Sequence, residues 1–474
     1  MTLFDDFLLT TFSDELERFL NHPQPPPFIR CNTLKSNVED LRAVLPHYGV
    51  EAVRHPGVGV ALELREQRLA TEATGFVHHF AGAFVKQSLG SMLPPLLLDA
   101  QPGEKVLDMC ASPGSKTTQL AAMMNGDGEL WANEVSGVRM NALAARVDAS
   151  GAMNIIMQQS DGQRLANLCP DIFDRILVDA PCTGLGDRDN LRHARARFER
   201  AGRFSSLPDV QYSLLLNAMK MLRVGGRAVY STCSLTVEEN EAVLDLVLRR
   251  LPVRMVEPPD IEGLVLRPGR PQHQGQVLHP DVALARRIVP WENPSEGFFV
   301  AILEKTDELR ERHARASLEP RVEATLGAED ERVGAILANI ELNYGLPGEL
   351  FADLRFILRN DSIMVLNPGL KELWGGFFRA GSPLAKRRGS IWRLSHSAIQ
   401  RWSSRCTKHV VHLRGAQLEE LARTGECDLK LDEWFPYPVL WIEGLGAVAS
   451  GMWDGERLRW KRARAYWVPE GWAG

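Results

Sequence analysis

The chain has 474 residues, too many for one ordinary hydrophobic core, so two or three domains are expected. Apolar residues make up 45% and charged residues 24%, a globular balance, and no apolar stretch reaches the roughly 18 residues that a bilayer-spanning helix needs, which excludes a membrane partner of that kind. A net charge of −5 excludes nucleic-acid binding through bulk charge, so any basic surface must be local.

The first residues, Met1 to Asp6, are acidic and lack the start of a secretory signal or a transit peptide. A cytoplasmic location is expected, with a mitochondrial one as the alternative for a processed chain. Residues 1–75 read as a small α+β unit. Val38 to Leu45 has helical spacing with Asn37 as N-cap, and Val60 to Leu64 reads as a strand. Gly75 to Leu98 is a bridge. Strand and helix then alternate. The strands are Lys105–Asp108, Glu129–Glu134, Ile155–Gln158, Arg175–Asp179 and Arg227–Ser231, and the helices are Thr117–Met124, Arg139–Ser150 and Leu214–Leu222. This alternation predicts an α/β domain over 76–305, with a mostly parallel, doubly wound sheet that Gly297–Leu303 could close. Asp307 to Arg315 is a charged run inside a linker, 306–330, with an exposed helix as the alternative.

Residues 331–474 hold most of the tryptophans, among them Trp374, Trp402, Trp434, Trp453, Trp460, Trp467 and Trp472, interleaved with Arg387, Arg393, Arg401, Lys461, Arg462 and Arg464. That mixture reads as a surface for stacking on bases and contact with phosphates, with a small β-rich domain around a tryptophan core as the alternative. Pro438 to Ile442, followed by Gly444, Gly446 and Gly451, reads as strands and tight turns of a small barrel.

Three strand ends carry candidate ligand groups. The first runs from Asp108 into Cys110-Ala111-Ser112-Pro113-Gly114-Ser115-Lys116 before a helix, a polar turn at a helix N-terminus. It is not GxGxxG, so a nicotinamide dinucleotide is poorly supported. The second strand ends in Glu134, suited to ribose hydroxyls, and the third leads to Asp161, suited to an adenine amino group. The ordered set points to a nucleoside cofactor such as S-adenosylmethionine.

The fourth and fifth strands deliver Asp179-Ala180-Pro181-Cys182-Thr183-Gly184 and Tyr230-Ser231-Thr232-Cys233-Ser234. Two cysteines at the carboxyl ends of parallel strands lie where such sheets bind ligands. Carbon 5 of cytosine is a poor nucleophile, and a thiolate added to carbon 6 makes it a good one. Such an addition needs a hydrogen bond or proton at ring nitrogen 3, which Asp179 can provide, and a base for the carbon 5 proton. Cys31, Cys169, Cys406 and Cys427 read as structural thiols. The seven cysteines form no CxxC pair, so neither a metal site nor a disulfide framework is expected, and a reducing compartment fits.

These segments resemble the Nop/Sun-type RNA cytosine-5 methyltransferases. The resemblance covers about residues 28–305 and includes Arg30-Cys31-Asn32-Thr33-Leu34-Lys35, Asn133-Glu134-Val135 with Arg139, Glu239-Asn240-Glu241 and Gly297-Phe298-Phe299-Val300-Ala301. It implies a Rossmann-like class I methyltransferase domain with a small N-terminal RNA-binding module. It implies Cys233 as nucleophile, Cys182 as the residue assisting product release, and Lys116 as a group that reaches the base. It implies S-adenosylmethionine contacts from Cys110 through Lys116, Glu134, Asp161 and Asp179. The expected partner is RNA, ribosomal or transfer, with the free chain a monomer. A weakly active ribosome-assembly factor on the same fold is the alternative. Ser112, Ser115 and Gln87-Ser88 depart from the usual family residues, and the Arg-rich stretch Asp187 to Leu207 matches no one branch. The region after 330 resembles the C-terminal extensions, with a PUA-like module, of bacterial ribosomal-RNA members.

Overall fold

The computed structural model describes residues 2–65, 73–167, 172–201, 206–309, 322–374, 376–442 and 446–460. Cys169, residues 310–321 of the expected linker, and Lys461, Arg462, Arg464, Trp467 and Trp472 lie outside them. Among the described residues no helix is long and apolar enough to cross a membrane.

Four short strands, β1 (Phe28–Cys31), β2 (Ala52–Arg54), β3 (Ala61–Leu64) and β4 (Phe84–Lys86), form an antiparallel sheet in the order β2-β3-β1-β4. Its fourth strand comes from beyond residue 75, so the unit takes in part of the bridge. The helix Val38–Val44 packs on it through Leu41, and Asn37 caps that helix by accepting the Asp40 N–H at 2.8 Å. The first helices, Leu3–Phe12 and Leu16–Asn21, go elsewhere. Phe4, Leu8 and Phe12 recur on one helical face and bury against Leu185, Ala194 and Leu235 of the central domain.

The central sheet is built on five parallel strands: β5 (Lys105–Asp108), β6 (Glu129–Asn133), β7 (Ile155–Gln158), β8 (Phe173–Asp179) and β9 (Leu222–Thr232). They run in the order β7-β6-β5-β8-β9. Phe298–Lys305 adds the expected late strand, antiparallel beside β9, but it does not close the sheet, because Arg286–Ile288 and Val253–Val256 pair along its far side. β9 is longer than the sequence suggests because Leu222 pairs with Phe173, carrying the ladder past the Gly225-Gly226 turn signal. Neighbouring strand residues face opposite sides. Val106, Leu130, Leu177 and Val229 pack under Leu89–Leu98, Ser115–Met123 and Gly137–Ser150. Leu107, Ile156, Ile176 and Val178 pack against Leu207–Met221 and Glu241–Arg250. Both faces are therefore covered, and the parallel strands open their carboxyl ends to one cleft.

The C-terminal region folds onto this domain. It holds a four-stranded sheet, from Arg355–Arg359 to Ile391–Leu394, and a three-stranded sheet of Val410–Leu413, Val439–Ile442 and Gly446–Ser450. The short segment Arg379–Ala380 pairs with Met157 and Ile156, so it extends the central sheet past β7. Lys35 joins three regions, donating to Ala81 O at 3.0 Å, Ala149 O at 2.7 Å and Gln400 Oε1 at 2.6 Å. Burial brings its ammonium down to about 7. Trp402, Trp453 and Trp460 are buried, which corrects the reading of these rings as a stacking surface. Their large apolar area is worth more inside a small β-rich core than against solvent. Among the tryptophans whose side chains are described, Trp434 alone is largely exposed, at 64%.

Candidate active site

Asp179 and Ser231 are register partners at the ends of β8 and β9, so the turns that follow leave the sheet side by side. This brings Sγ of Cys182 and Sγ of Cys233 to 3.0 Å. Cys233 is exposed and Cys182 half-buried. The thiol of Cys182, hydrogen-bonded to Cys233 and desolvated, is raised well above the ordinary thiol range. The same hydrogen bond holds Cys233 below that range, against burial and the nearby Asp179 carboxylate. The pair therefore sorts into a proton-keeping Cys182 and a thiolate-forming Cys233.

Lys116 Nζ donates to Asp179 Oδ2 at 2.6 Å, and Ser231 Oγ donates to Oδ1 at 2.7 Å. The ammonium also lies 5.5 Å from the centre of the Phe298 ring. Both Asp179 oxygens thus accept a hydrogen bond. The four predicted chemical groups, Cys233, Cys182, Asp179 and Lys116, come together at one end of the sheet.

The loop Cys110 to Ser115 follows β5. Gly114 has φ of 103°, in the left-handed region, and a Cβ there would stand 3.0 Å from Leu143. Ser115 is the first residue of the helix Ser115–Met123, so its departure from glycine meets no backbone obstacle. Cys110, Ala111, Ser112, Pro113, Lys116 and Asp179 are among the walls of a cavity of about 240 Å³. A second cavity of about 380 Å³ shares Lys86, Gln87 and Ser88 with the first and reaches Asp187 and Glu296.

Glu134 and Asp161 sit at the ends of β6 and β7 but do not line the first cavity. Glu134 accepts the Ser136 N–H at 2.8 Å and faces Arg139 at 3.4 Å, and Arg139 also donates to Ser112 O at 2.7 Å. Asp161 accepts the Gln163 N–H at 3.0 Å. Asn133, given no role by the sequence, links the three strand ends through Met109 O at 3.1 Å and Ser160 O at 3.0 Å.

Asp108 is 1% exposed and accepts from Thr117 Oγ1 at 2.7 Å, while its Oδ1 is buried without a partner among the described residues. Burial pushes its carboxyl up to about 7 from 3.8. Its contribution to stability is present in full below the unfolded value and is lost as the pH rises through about 7. Asp108→Asn removes that ionisation. The variant should therefore gain stability relative to wild type as the pH is raised from about 4 to about 8, read as the change in urea midpoint across that range.

Sequence reasoning missed two supports. Arg30 is buried and donates to Gln87 Oε1 at 2.8 Å and Thr118 Oγ1 at 2.9 Å, tying β1 to the helix behind the Gly114 loop. Glu239 sits in a quoted motif but received no role. Its carboxylate accepts from Thr183 N and Oγ1 at 2.9 and 2.6 Å, and from Ser234 Oγ at 2.7 Å. The signal for it was its place six residues past Cys233 in a run too acidic for a buried strand-to-helix connection. Cys31 and Cys427 are buried, and burial raises the thiols of Cys31 and Cys427 to about 11 and that of Cys406 to about 12, as expected of structural cysteines.

Residues 95–304 match the family model for 16S rRNA methyltransferase RsmB/F. Over 445 residues the chain is 32% identical to ribosomal RNA small subunit methyltransferase F of Aeromonas salmonicida (strain A449), a match covering 91% of this chain and 88% of that relative. It is 34% identical to the 25S rRNA (cytosine-C(5))-methyltransferase nop2 of Schizosaccharomyces pombe, covering 64% of this chain but only 50% of that longer protein. The tRNA (cytosine(49)-C(5))-methyltransferase of Pyrococcus abyssi is 32% identical, with 62% of this chain and 93% of that one covered. Among solved structures, a methyltransferase homologue from Pyrococcus horikoshii superposes with a TM-score of 0.56 at 31% identity, covering 64% of this chain and 94% of that one.

Proposed function

The chain belongs to the 16S rRNA methyltransferase RsmB/F family, and from that premise we propose that it transfers a methyl group from S-adenosylmethionine to carbon 5 of a cytidine in ribosomal RNA. The observation that carries the reading is the exposed Cys233 sulfur, 3.0 Å from Cys182, on the turn that follows Ser231, the donor to Asp179. Ribosomal RNA is favoured over transfer RNA by coverage. The small-subunit relative extends over 91% of this chain, C-terminal region included, whereas the transfer-RNA relative accounts for 62%.

The residues present fit a sulfonium nucleoside. Asp108 keeps an unpartnered buried oxygen in the wall of the first cavity, and Glu134 supplies a carboxylate one strand over. S-adenosylmethionine, when bound, supplies an electrophilic methyl group to the activated carbon 5. The protein does the rest. Cys233 as thiolate adds to carbon 6, and the electron pair of the ring double bond moves toward carbon 5 and nitrogen 3. The Lys116–Asp179 pair holds a proton against that developing charge in a desolvated cleft. After methylation the carbon 5 hydrogen passes to solvent as a proton, its bonding pair re-forms the double bond and the Cys233 sulfur is expelled as the thiolate. Cys182, whose sulfur lies 3.0 Å from that of Cys233, assists that release. The target must be single-stranded or flipped out, because stacking would shield carbon 6 from the sulfur.

RNA carrying 5-azacytidine tests the reading, because attack by Cys233 should leave a covalent protein–RNA adduct. Bisulfite sequencing of ribosomal RNA with and without the protein should locate the methylated cytidine. Unchanged cytidines and no adduct would leave an assembly factor as the better account. Cys182→Ala should behave differently from loss of the nucleophile. Attack should persist while release slows, so covalent complex accumulates with natural RNA. Because Cys233 would lose its stabilising hydrogen bond, the rate of adduct formation should also rise at higher pH than in wild type.

A further inference from the structure

Thr183 directly follows Cys182, and Ser234 directly follows Cys233. Both side chains donate to the same oxygen of Glu239, at 2.6 and 2.7 Å, and Thr236 Oγ1 joins them at 2.9 Å. The other oxygen accepts the Thr183 N–H at 2.9 Å and Gln211 Nε2 at 3.1 Å. Gln211 also donates to Pro181 O at 2.9 Å, on the far side of Cys182. Glu239 is 1% exposed. A carboxylate this deep normally faces a cation. Here neutral donors from both cysteine-bearing turns surround it, so its burial is worthwhile only if it fixes those turns together.

We propose that Glu239 is a positioning residue for both cysteines: one buried carboxylate ties the turn after Cys182 to the turn after Cys233 and so sets the approach of the two sulfurs. The proposal rests on the reading of this site as a thiol methyltransferase centre, but its test does not require turnover. Without the tie, Cys182 no longer aims its S–H at Cys233. Two influences then oppose each other. Loss of the Glu239 charge favours the Cys233 thiolate, and loss of the Cys182 hydrogen bond disfavours it. The Cys182 hydrogen bond acts directly on the Cys233 sulfur at 3.0 Å, while the Glu239 carboxylate acts on it only through space, so the net movement is upward.

The experiment is alkylation of Cys233 by iodoacetamide against pH, followed by peptide mass spectrometry on the full-length chain, for wild type, Glu239→Gln and Glu239→Ala. Glu238→Gln is the control, because Glu238, next in the chain to Glu239, faces His273 at 3.1 Å and makes no hydrogen bond to either cysteine-bearing turn among the described residues. The expected result is an upward displacement of the alkylation midpoint in the order wild type, Gln, Ala, with about tenfold slower modification at neutral pH for Ala. Gln retains a carbonyl for Thr183 N and Gln211, which accounts for its intermediate place. Should Glu239→Ala fail to melt cooperatively, Thr183→Val removes one strand of the same tie and takes its place. Cooperative melting with a wild-type midpoint in the Gln variant and in Ala or Val overturns the proposal. A displaced midpoint with no 5-azacytidine adduct in wild type would instead sink the functional reading and leave the tie standing.

Discussion

Replacing Cys233 by alanine should abolish methyl transfer and covalent trapping together. Addition to carbon 6 is what makes carbon 5 reactive, and among the described residues no other exposed thiol is available to make it. Cys182 is the nearest sulfur, but it is only half-exposed and its thiol is held protonated by its bond to Cys233 and by desolvation. The loss should be about four orders of magnitude or more, the scale on which enzymes lose rate when a covalent nucleophile is removed. RNA binding should be nearly unchanged, because the sulfur contributes little contact area. Tritium release from [5-³H]cytidine RNA and gel-shift titration separate the two quantities. Turnover surviving in Cys233→Ala would overturn the assignment of nucleophile.

The second large effect concerns stability. Arg287 and Glu241 form a buried ion pair, with Arg287 Nε and Nη2 each 2.6 Å from one oxygen of Glu241. Their side chains are 4% and 0% exposed. Arg287 Nη1 also donates to Leu235 O at 2.8 Å, two residues past Cys233. Arg287→Leu would strand the Glu241 carboxylate and leave that carbonyl unsatisfied, at a cost of about 3–5 kcal/mol. The double variant Arg287→Leu/Glu241→Leu removes both charges and should recover a substantial part of the loss. Urea midpoints for the four proteins of this cycle provide the check. A single variant as stable as wild type would mean that the pair holds nothing together.

Much of this architecture was legible because parallel strands buried on both faces leave a short continuous apolar signature. Lys105–Asp108 and Ile155–Gln158 fall where the pattern puts them. Cys182 and Cys233 could be paired in advance because adjacent parallel strands must present their carboxyl ends together. What failed to show was anything decided by packing between distant segments. The helix of Phe4, Leu8 and Phe12 has an apolar stripe that names no partner, and only the fold reveals Leu185 and Leu235 beneath it. Tryptophan beside arginine has the same composition whether the ring stacks on a base or fills a core, and Trp453 and Trp460 fill a core. Glu239 looked like one acid in a polar run, because a hydrogen-bond hub assembled from positions 183, 211 and 234 has no linear pattern.

The pairing of Arg379–Ala380 with β7 has a practical side. Ile155, Ile156 and Met157 are fully buried, and this two-residue segment supplies the partner on their otherwise open flank. A protein shortened to end at Lys305 would keep every reacting group yet expose a sticky ribbon of main-chain donors and acceptors. Such flanks recruit one another, so the shortened enzyme should precipitate or self-associate on storage. Truncation studies of RNA specificity would then mistake poor solubility for lost recognition.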